Sequence, residues 1–257
     1  MTNLLHAAYG LASYLFFLGT FLYAIAFVFN VPGLKTIDRG GAGAPLTEAI
    51  MVDLLLLAAF AIQHSVMARP AFKRWWTRIV PPALERSTYT LLASAVLALL
   101  VWQWRPIAGT VWSVDGTVGI ALQVLSAAGW CVVLISTYLI NHFELFGLRQ
   151  SFAGVMGLNE ARAEFRTPLF YRWVRHPIYV GFIVAFWATP VMSTGHLLFA
   201  AMTTGYILVG IWFEERDLVD QFGAQYLAYR RRVGALFPRL RAEAARGTAQ
   251  ARQFKRP

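Results

Sequence analysis

The sequence predicts an all-α, polytopic integral membrane protein. Three observations support that expectation. Apolar residues make up 58% of the 257-residue chain and charged residues only 14%, against about 25% charged in soluble domains. The apolar residues fall in blocks long enough to cross a bilayer, which takes about 20 residues of helix. Basic residues collect in alternate connections between those blocks, as the cytoplasmic preference of basic loops requires.

Six apolar segments can be drawn, at 7–29, 49–67, 88–104, 117–140, 178–194 and 197–213. Backbone polar groups at membrane depth must be satisfied internally, so each reads as a helix. The first, Ala7 to Phe29, lacks a basic leader and exceeds a signal-peptide core; it reads as a retained crossing. The last two are short and separated by "MSTGH", which reads as a tight helical hairpin. Six crossings follow, or five if one short segment is re-entrant. Beyond them, Leu218, Phe222, Tyr226 and Tyr229 are spaced for an amphipathic helix at the cytoplasmic interface, ending near Gly234 and Pro238. The organisation is one membrane domain, 1–240, followed by a basic cytoplasmic tail, 241–257.

Connections 30–48 and 105–116 hold three basic residues, Lys35, Arg39 and Arg105, and 191–196 holds none. The other 20 lie in 68–87, in 141–177 and beyond the last segment. Both termini are therefore expected in the cytoplasm, in a membrane such as the bacterial inner membrane. The stretch Arg230 to Pro257 carries nine Arg or Lys and one Glu, +8 of the net +10. Beside a membrane that points to anionic lipid headgroups. Nucleic-acid binding needs basic residues gathered on a soluble module, and none is present. A single cysteine, Cys131, excludes an intrachain disulfide framework and a cysteine-rich metal site.

The polar residues at the cytoplasmic ends are the candidate site. In "RHPIYVG", 175–181, Pro177 suits a first helical turn, where free N–H groups favour an anion. Arg175 and His176 stand beside it, and Gly181 permits close approach of a helix or a flat ligand. The plainer alternative is an ordinary helix start with a snorkelling arginine. Glu214 and Glu215 close the last segment, where the helix dipole disfavours acids. Adjacent residues do not share a helix face, so one is expected to face inward, with Arg216 neutralising the other. His64 ends the second segment, and His142, with Asn141 and Glu144, ends the fourth. Polar groups at such depth are functional candidates, or else histidines bonded to a neighbouring helix. No HExxH-type pair is present, and five histidines are few for a diiron enzyme; no metal is expected.

Together "RHPIYVG" at 175–181, "EE" at 214–215 and "FGAQYLAYRRRVGALFP" at 222–238 resemble the isoprenylcysteine carboxyl methyltransferase superfamily, which includes phospholipid methyltransferases and NnrU-like proteins. "QHSVMARPAFKRWWTRIVPPALERSTY" at 63–89 is similar to a narrower group, the NnrU-like and methanethiol S-methyltransferase proteins, and "NHFELFGLRQ" at 141–150 strengthens the second of these. The resemblance implies S-adenosyl-L-methionine as methyl donor, held between the last two membrane helices and the C-terminal segment. It implies that Arg175, His176, Pro177, Tyr179 and Gly181 border the donor and that Glu214 and Glu215 close its site. The acceptor it implies is a small volatile thiol, methanethiol, methylated in line to dimethyl sulfide. His64, His142, Glu144 and Glu214 are the candidates for deprotonating the thiol, and Trp212 and Phe213 for facing the sulfonium. The alternatives are another methyl acceptor (another thiol, a phospholipid amine or a prenylcysteine carboxylate) or a haem-binding or accessory membrane protein.

Overall fold

The computed structural model describes residues 1–41, 43–158 and 165–239. The expected basic tail, 241–257, lies outside these residues. Helix α1 spans Thr2–Val28 and α2 Leu46–Ala68. A short helix α3, Pro70–Trp76, follows, then α4, Pro82–Gln103. A short strand β1, Thr110–Ser113, leads into α5, Gly116–Ile140. Two small helices, α6 at His142–Leu145 and α7 at Leu148–Met156, come next. Helix α8 covers Pro177–Trp187, strand β2 Val191–Ser193, α9 Thr194–Phe222 and α10 Ala224–Arg232. Five of these helices, α1, α2, α4, α5 and α9, are long and apolar enough to cross a membrane.

The fifth predicted segment departs from expectation. Helix α8 has only 11 residues, about 16 Å at 1.5 Å per residue, half a hydrocarbon core. From Ala188 the chain leaves the helix, and β2 pairs antiparallel with β1. That pairing satisfies backbone groups which a helix would have satisfied internally. The residues expected to form the hairpin turn are divided between β2, which takes Met192 and Ser193, and α9, which begins at Thr194: Ser193 is its N-cap, accepting from the His196 amide at 2.9 Å. At its other end α9 runs straight through Glu214 and Glu215 to Phe222. The amphipathic helix expected over 218–229 is thus broken at Gly223, whose φ of 53° suits glycine, and resumes as α10.

The connections gather at two ends. At one, Trp104 Nε1 donates to the Ile37 carbonyl, Trp112 Nε1 to that of Thr189, and the Ser193 hydroxyl to Asp38. These bonds join 30–45, 104–115 and 188–193, the weakly basic connections. At the other end Arg69 pairs with Asp217 at 3.0 Å, Arg86 Nε donates to the Leu145 carbonyl at 2.7 Å, and Asn3 donates to that of Gly154. Between them lies an aromatic core of Phe27, Trp104, Trp130, Phe186 and Phe199.

Helix α8 is seated by glycine on both sides of one contact. A Cβ on Gly181 would lie 2.6 Å from the Gly129 carbonyl oxygen, and one on Gly129 would lie 2.7 Å from that of Gly181. The backbones of α5 and α8 touch there, which only hydrogen at both positions allows. Of the two partners open to Gly181, the structure shows a helix.

Candidate functional site

The site forms where the start of α8 meets the last turns of α9. Pro177 is the first residue of α8 and His176 its N-cap. An isolated bridge between Val174 and Gly234 holds this entry to the chain after α10: Arg175 N donates to the Gly234 carbonyl at 2.8 Å and His176 N to that of Ala235 at 3.2 Å. The chain after α10 therefore fixes where Arg175 and His176 point. Phe165 packs on Phe222, Tyr226 and Tyr229, and the Tyr229 hydroxyl donates to the Tyr171 carbonyl at 2.5 Å. The polar end of α9 is thereby walled by aromatic rings.

Both acids face the start of α8. Glu215 Oε1 accepts from Arg175 Nε at 2.8 Å, from Arg175 Nη2 and from His176 Nε2 at 3.1 Å, and Glu215 Oε2 lies 3.6 Å from Arg230 Nε. Glu214 Oε2 accepts from the Tyr179 hydroxyl at 2.8 Å and lies 3.7 Å from His176 Nδ1. Adjacent positions on a helix diverge by about 100°, and His176 occupies the wedge between them, one ring nitrogen toward each carboxylate. The expectation of a single inward acid gives way to this arrangement. Arg216 is not the neutralising partner; its guanidinium lies 4.8 Å over the Trp212 ring.

The two carboxylates have different freedom. The Arg175 side chain is 8% exposed and that of Glu215 12%. Arg175 Nη1 also donates to the carbonyls of Arg230 and Val233. Every charge in that pair is committed within the protein. Glu214 is 42% exposed and, among the described residues, holds one hydrogen bond, leaving lone pairs for an amine or hydroxyl. Half-exposed Arg230 is a cation beside Glu215 with donors to spare among the described residues. Burial, with Glu214 close by, pushes the Tyr171 phenol above its ordinary range, and burial pushes that of Tyr229 up to about 12. Both remain hydrogen-bond donors at neutral pH.

A second group lies deeper, between α2, α4 and α9. His64 Nε2 is 3.0 Å from the Tyr89 hydroxyl, which also reaches the His64 carbonyl at 3.4 Å. Phe60 stacks on the His64 ring at 5.3 Å, Tyr206 meets it edge-on, and Ser65 donates to the Tyr206 hydroxyl at 3.2 Å. His64 Nδ1 is buried with no hydrogen-bond partner among the described residues. Tyr89 and Tyr206 lie within electrostatic reach of Tyr179, so this group adjoins the Glu214 end.

His142 and Glu144 sit elsewhere. His142 is 5% exposed, stacked on Tyr138 at 4.2 Å, with Nε2 2.8 Å from the Tyr14 hydroxyl and Nδ1 2.8 Å from that of Thr137. The Thr137 proton goes to the Leu134 carbonyl at 2.7 Å, so Nδ1 donates to Thr137 and Nε2 accepts from Tyr14. Both nitrogens are used, and burial holds the imidazole below its ordinary range. Glu144 is tied to Asn141 and Arg149. Trp212 and Phe213 face away from Tyr179: Trp212 is 56% exposed beneath Arg216, and Phe213 lies under Arg69 at 5.0 Å. The aromatic residues on the Glu214 side of the site include Tyr171, Tyr179, Tyr89 and Tyr206. Three of them escaped the sequence reading, although Tyr206, Gly210 and Glu214 fall at i, i+4 and i+8, one stripe of α9.

The model of the NnrU protein family matches residues 52–216, from early α2 to just past the acidic pair. The chain belongs to the NnrU family. Within it, the chain is 56% identical over 239 residues to a methanethiol S-methyltransferase of Mycobacterium tuberculosis, covering 93% of this chain and 98% of that protein. It is 55% identical to methanethiol S-methyltransferase 1 of Bradyrhizobium diazoefficiens, over 90% of this chain and 81% of that one. A more distant relative, the Nurim homolog of Drosophila pseudoobscura pseudoobscura, is 32% identical over 67% of this chain and 71% of its own length. No solved structure matches this NnrU-family chain.

Proposed function

We propose that the protein is an integral membrane methyltransferase that transfers the methyl group of S-adenosyl-L-methionine to methanethiol, giving dimethyl sulfide. The observation that supports this most is likeness to methanethiol S-methyltransferases over nearly the whole length of both chains. The site chemistry fits such a donor. Glu214 has acceptor capacity for an ammonium or ribose hydroxyls, Arg230 has donors for a carboxylate, and Tyr171 and Tyr179 border both. Arg175, fully engaged by Glu215 and two carbonyls, is given the role of shaping the site, as is Gly181.

When bound, the donor supplies an activated methyl group on a positively charged sulfur. The chain's own task is to bring a thiolate to it, since the thiolate is the nucleophilic form. His64 is assigned the proton. When the Tyr89 hydroxyl donates to the His64 carbonyl, it accepts from Nε2–H, and Nδ1 is left as the free lone pair. Rings of Phe60, Tyr89 and Tyr206 exclude water around it. His142 has no nitrogen to offer and is assigned to packing.

For the topology we propose six crossings, with the site and both termini on the cytoplasmic side. Support comes from the segregation of basic connections and from α9, which at 29 residues is about 43 Å long and outreaches the hydrocarbon core. The fifth crossing is completed by extended chain, Ala188 to Ser193, which is tolerable at depth where it is buried in protein; Ala188, Thr189, Met192 and Ser193 are all buried. The purified protein in lipid, given S-adenosyl-L-methionine and methanethiol, should yield dimethyl sulfide by mass spectrometry, in excess of products from hydrogen sulfide or larger thiols. Donor binding with no methylated thiol from any of these acceptors would overturn the assignment.

A further inference from the structure

At the end of the molecule opposite Glu214 lies a cleft of about 600 Å3 between 28–39, 106–110 and 185–193, a size usual for small-ligand sites. Two opposite charges line it. Asp38 accepts from Asn30 Nδ2 at 2.5 Å and from the Ser193 hydroxyl, yet among the described residues no cation lies within 4 Å of it. The neighbouring Arg39 likewise has no carboxylate within that distance among the described residues.

Three of the hydroxyl groups that line the cleft have already spent their protons. Ser126 donates to the Ala185 carbonyl at 2.8 Å, Thr189 to that of Val191 at 2.8 Å, and Ser193 to Asp38. Their remaining capacity, like that of Asp38, is to accept. The cleft therefore offers an accepting, anionic side and a cationic corner at Arg39, above an apolar floor that includes Val28, Phe29 and Ile107. Its edge includes Gln123 of α5, an exposed residue among the exposed apolar side chains Ile120, Val124 and Leu125. The mouth thus reaches the lipid-facing side of a membrane-spanning helix.

We infer that this cleft holds the headgroup of a phospholipid that carries both a phosphodiester and a primary ammonium, the phosphatidylethanolamine class. The phosphate meets Arg39, the ammonium donates to Asp38 and the spent hydroxyls, and the glycerol end lies toward the apolar floor. A trimethylammonium headgroup has no N–H to give, and an anionic glycerol headgroup leaves Asp38 uncompensated.

The test is native mass spectrometry of the whole protein released from nanodiscs of phosphatidylethanolamine, phosphatidylcholine and phosphatidylglycerol in equal parts with matched acyl chains. Phosphatidylethanolamine should be retained in preference. Asp38→Asn should cut that preference about tenfold, and Arg39→Gln should lower retention of all three lipids about tenfold, the worth of one hydrogen bond to a charged group. Dimethyl sulfide formation and melting temperature of Arg39→Gln should stay at wild type, separating loss of the lipid from loss of the fold or of methyl transfer. Equal retention of the three lipids, a preference unmoved in Asp38→Asn, or wild-type lipid retention in Arg39→Gln would overturn the inference. So would displacement of the lipid by soluble glycerophosphoethanolamine at equal concentration, which would assign the cleft to a free headgroup.

Discussion

Glu214 and Glu215 are adjacent, identical in chemistry and both in contact with the start of α8, yet they differ in burial and partners, and we propose opposite work for them. Glu215 is 12% exposed and compensates Arg175, which is 8% exposed. Breaking a buried pair from one side costs about 3–5 kcal/mol, because the other charge stays buried. In Glu215→Gln, Arg175 keeps the Arg230 and Val233 carbonyls, so the loss should lie lower, about 2–3 kcal/mol. For a chain of this length that is a fall of about 5–10 °C in melting temperature. Glu214 is 42% exposed and accepts one hydrogen bond, from Tyr179. Gln retains that acceptor, so Glu214→Gln should cost under about 1 kcal/mol, a shift of at most about 3 °C. Its donor affinity should instead fall by about 10–100-fold, the value of hydrogen bonds to a charged group. Differential scanning fluorimetry in lipid nanodiscs reads the first effect and calorimetry with S-adenosyl-L-methionine the second. Equal melting losses in the two variants, or wild-type donor affinity in Glu214→Gln, would refute the division of labour.

His64→Gln should lower kcat by about 100-fold or more, as loss of a general base does, with donor affinity intact by calorimetry; Tyr89→Phe should move the pH–rate profile while leaving the melting temperature within about 2 °C. His142→Gln should keep kcat. Because burial holds the folded His142 below its ordinary value, the unfolded chain takes up its proton first, so stability present at pH 7 is lost as pH falls below about 6.5; thermal melts from pH 7.5 to 5 should show that slope in wild type and a smaller one in His142→Gln. Gly181→Ala puts a Cβ 2.6 Å from the Gly129 carbonyl oxygen and 2.8 Å from Val133 Cγ2; overpacking of this kind costs about 1–3 kcal/mol, read as a lower melting temperature with weaker donor binding, since α8 must move.

How much of this was legible in the sequence follows from what decides each feature. The long helices were legible because bilayer thickness imposes a length and an apolar composition, both visible along the chain. The fifth segment was not: "IYVGFIVAFW" is as apolar as its neighbours, and what unwinds the chain after it is pairing with Thr110–Ser113, about 80 residues away. The acidic pair and "RHP" were legible as polar groups in improbable places. Their division into a structural and a free carboxylate was not, since it depends on Val233 and Gly234 bringing Arg175 round to Glu215. His142 looked as good as His64 because both end apolar segments; what separates them is Tyr14, 128 positions away, which takes the last nitrogen of one and leaves the other free. Trp212 and Phe213 attracted attention by nearness to Glu214 in sequence. Helical geometry turns them outward, and the i, i+4, i+8 stripe of Tyr206, Gly210 and Glu214 was the better guide.

The shortness of α8 is tied to the site it opens. A helix crossing the whole membrane beside α9 would satisfy its own backbone and could slide or rotate along its neighbour at little cost. Helix α8 is pinned at both ends and in the middle: by the Arg175 and His176 amides bonded to Gly234 and Ala235, by the glycine contact with α5, and by β2 paired to β1. Three restraints on 11 residues leave His176 one position, the wedge between two carboxylates that diverge by about 100°. Placement of that order is what a transfer reaction demands, because reacting atoms must be held near contact distance and in line. The cost is non-helical backbone at depth, which the β pairing and the buried Ala188, Thr189, Met192 and Ser193 offset at the end away from the proposed chemistry. The unwound half of the fifth segment is thus the anchor for the half that works.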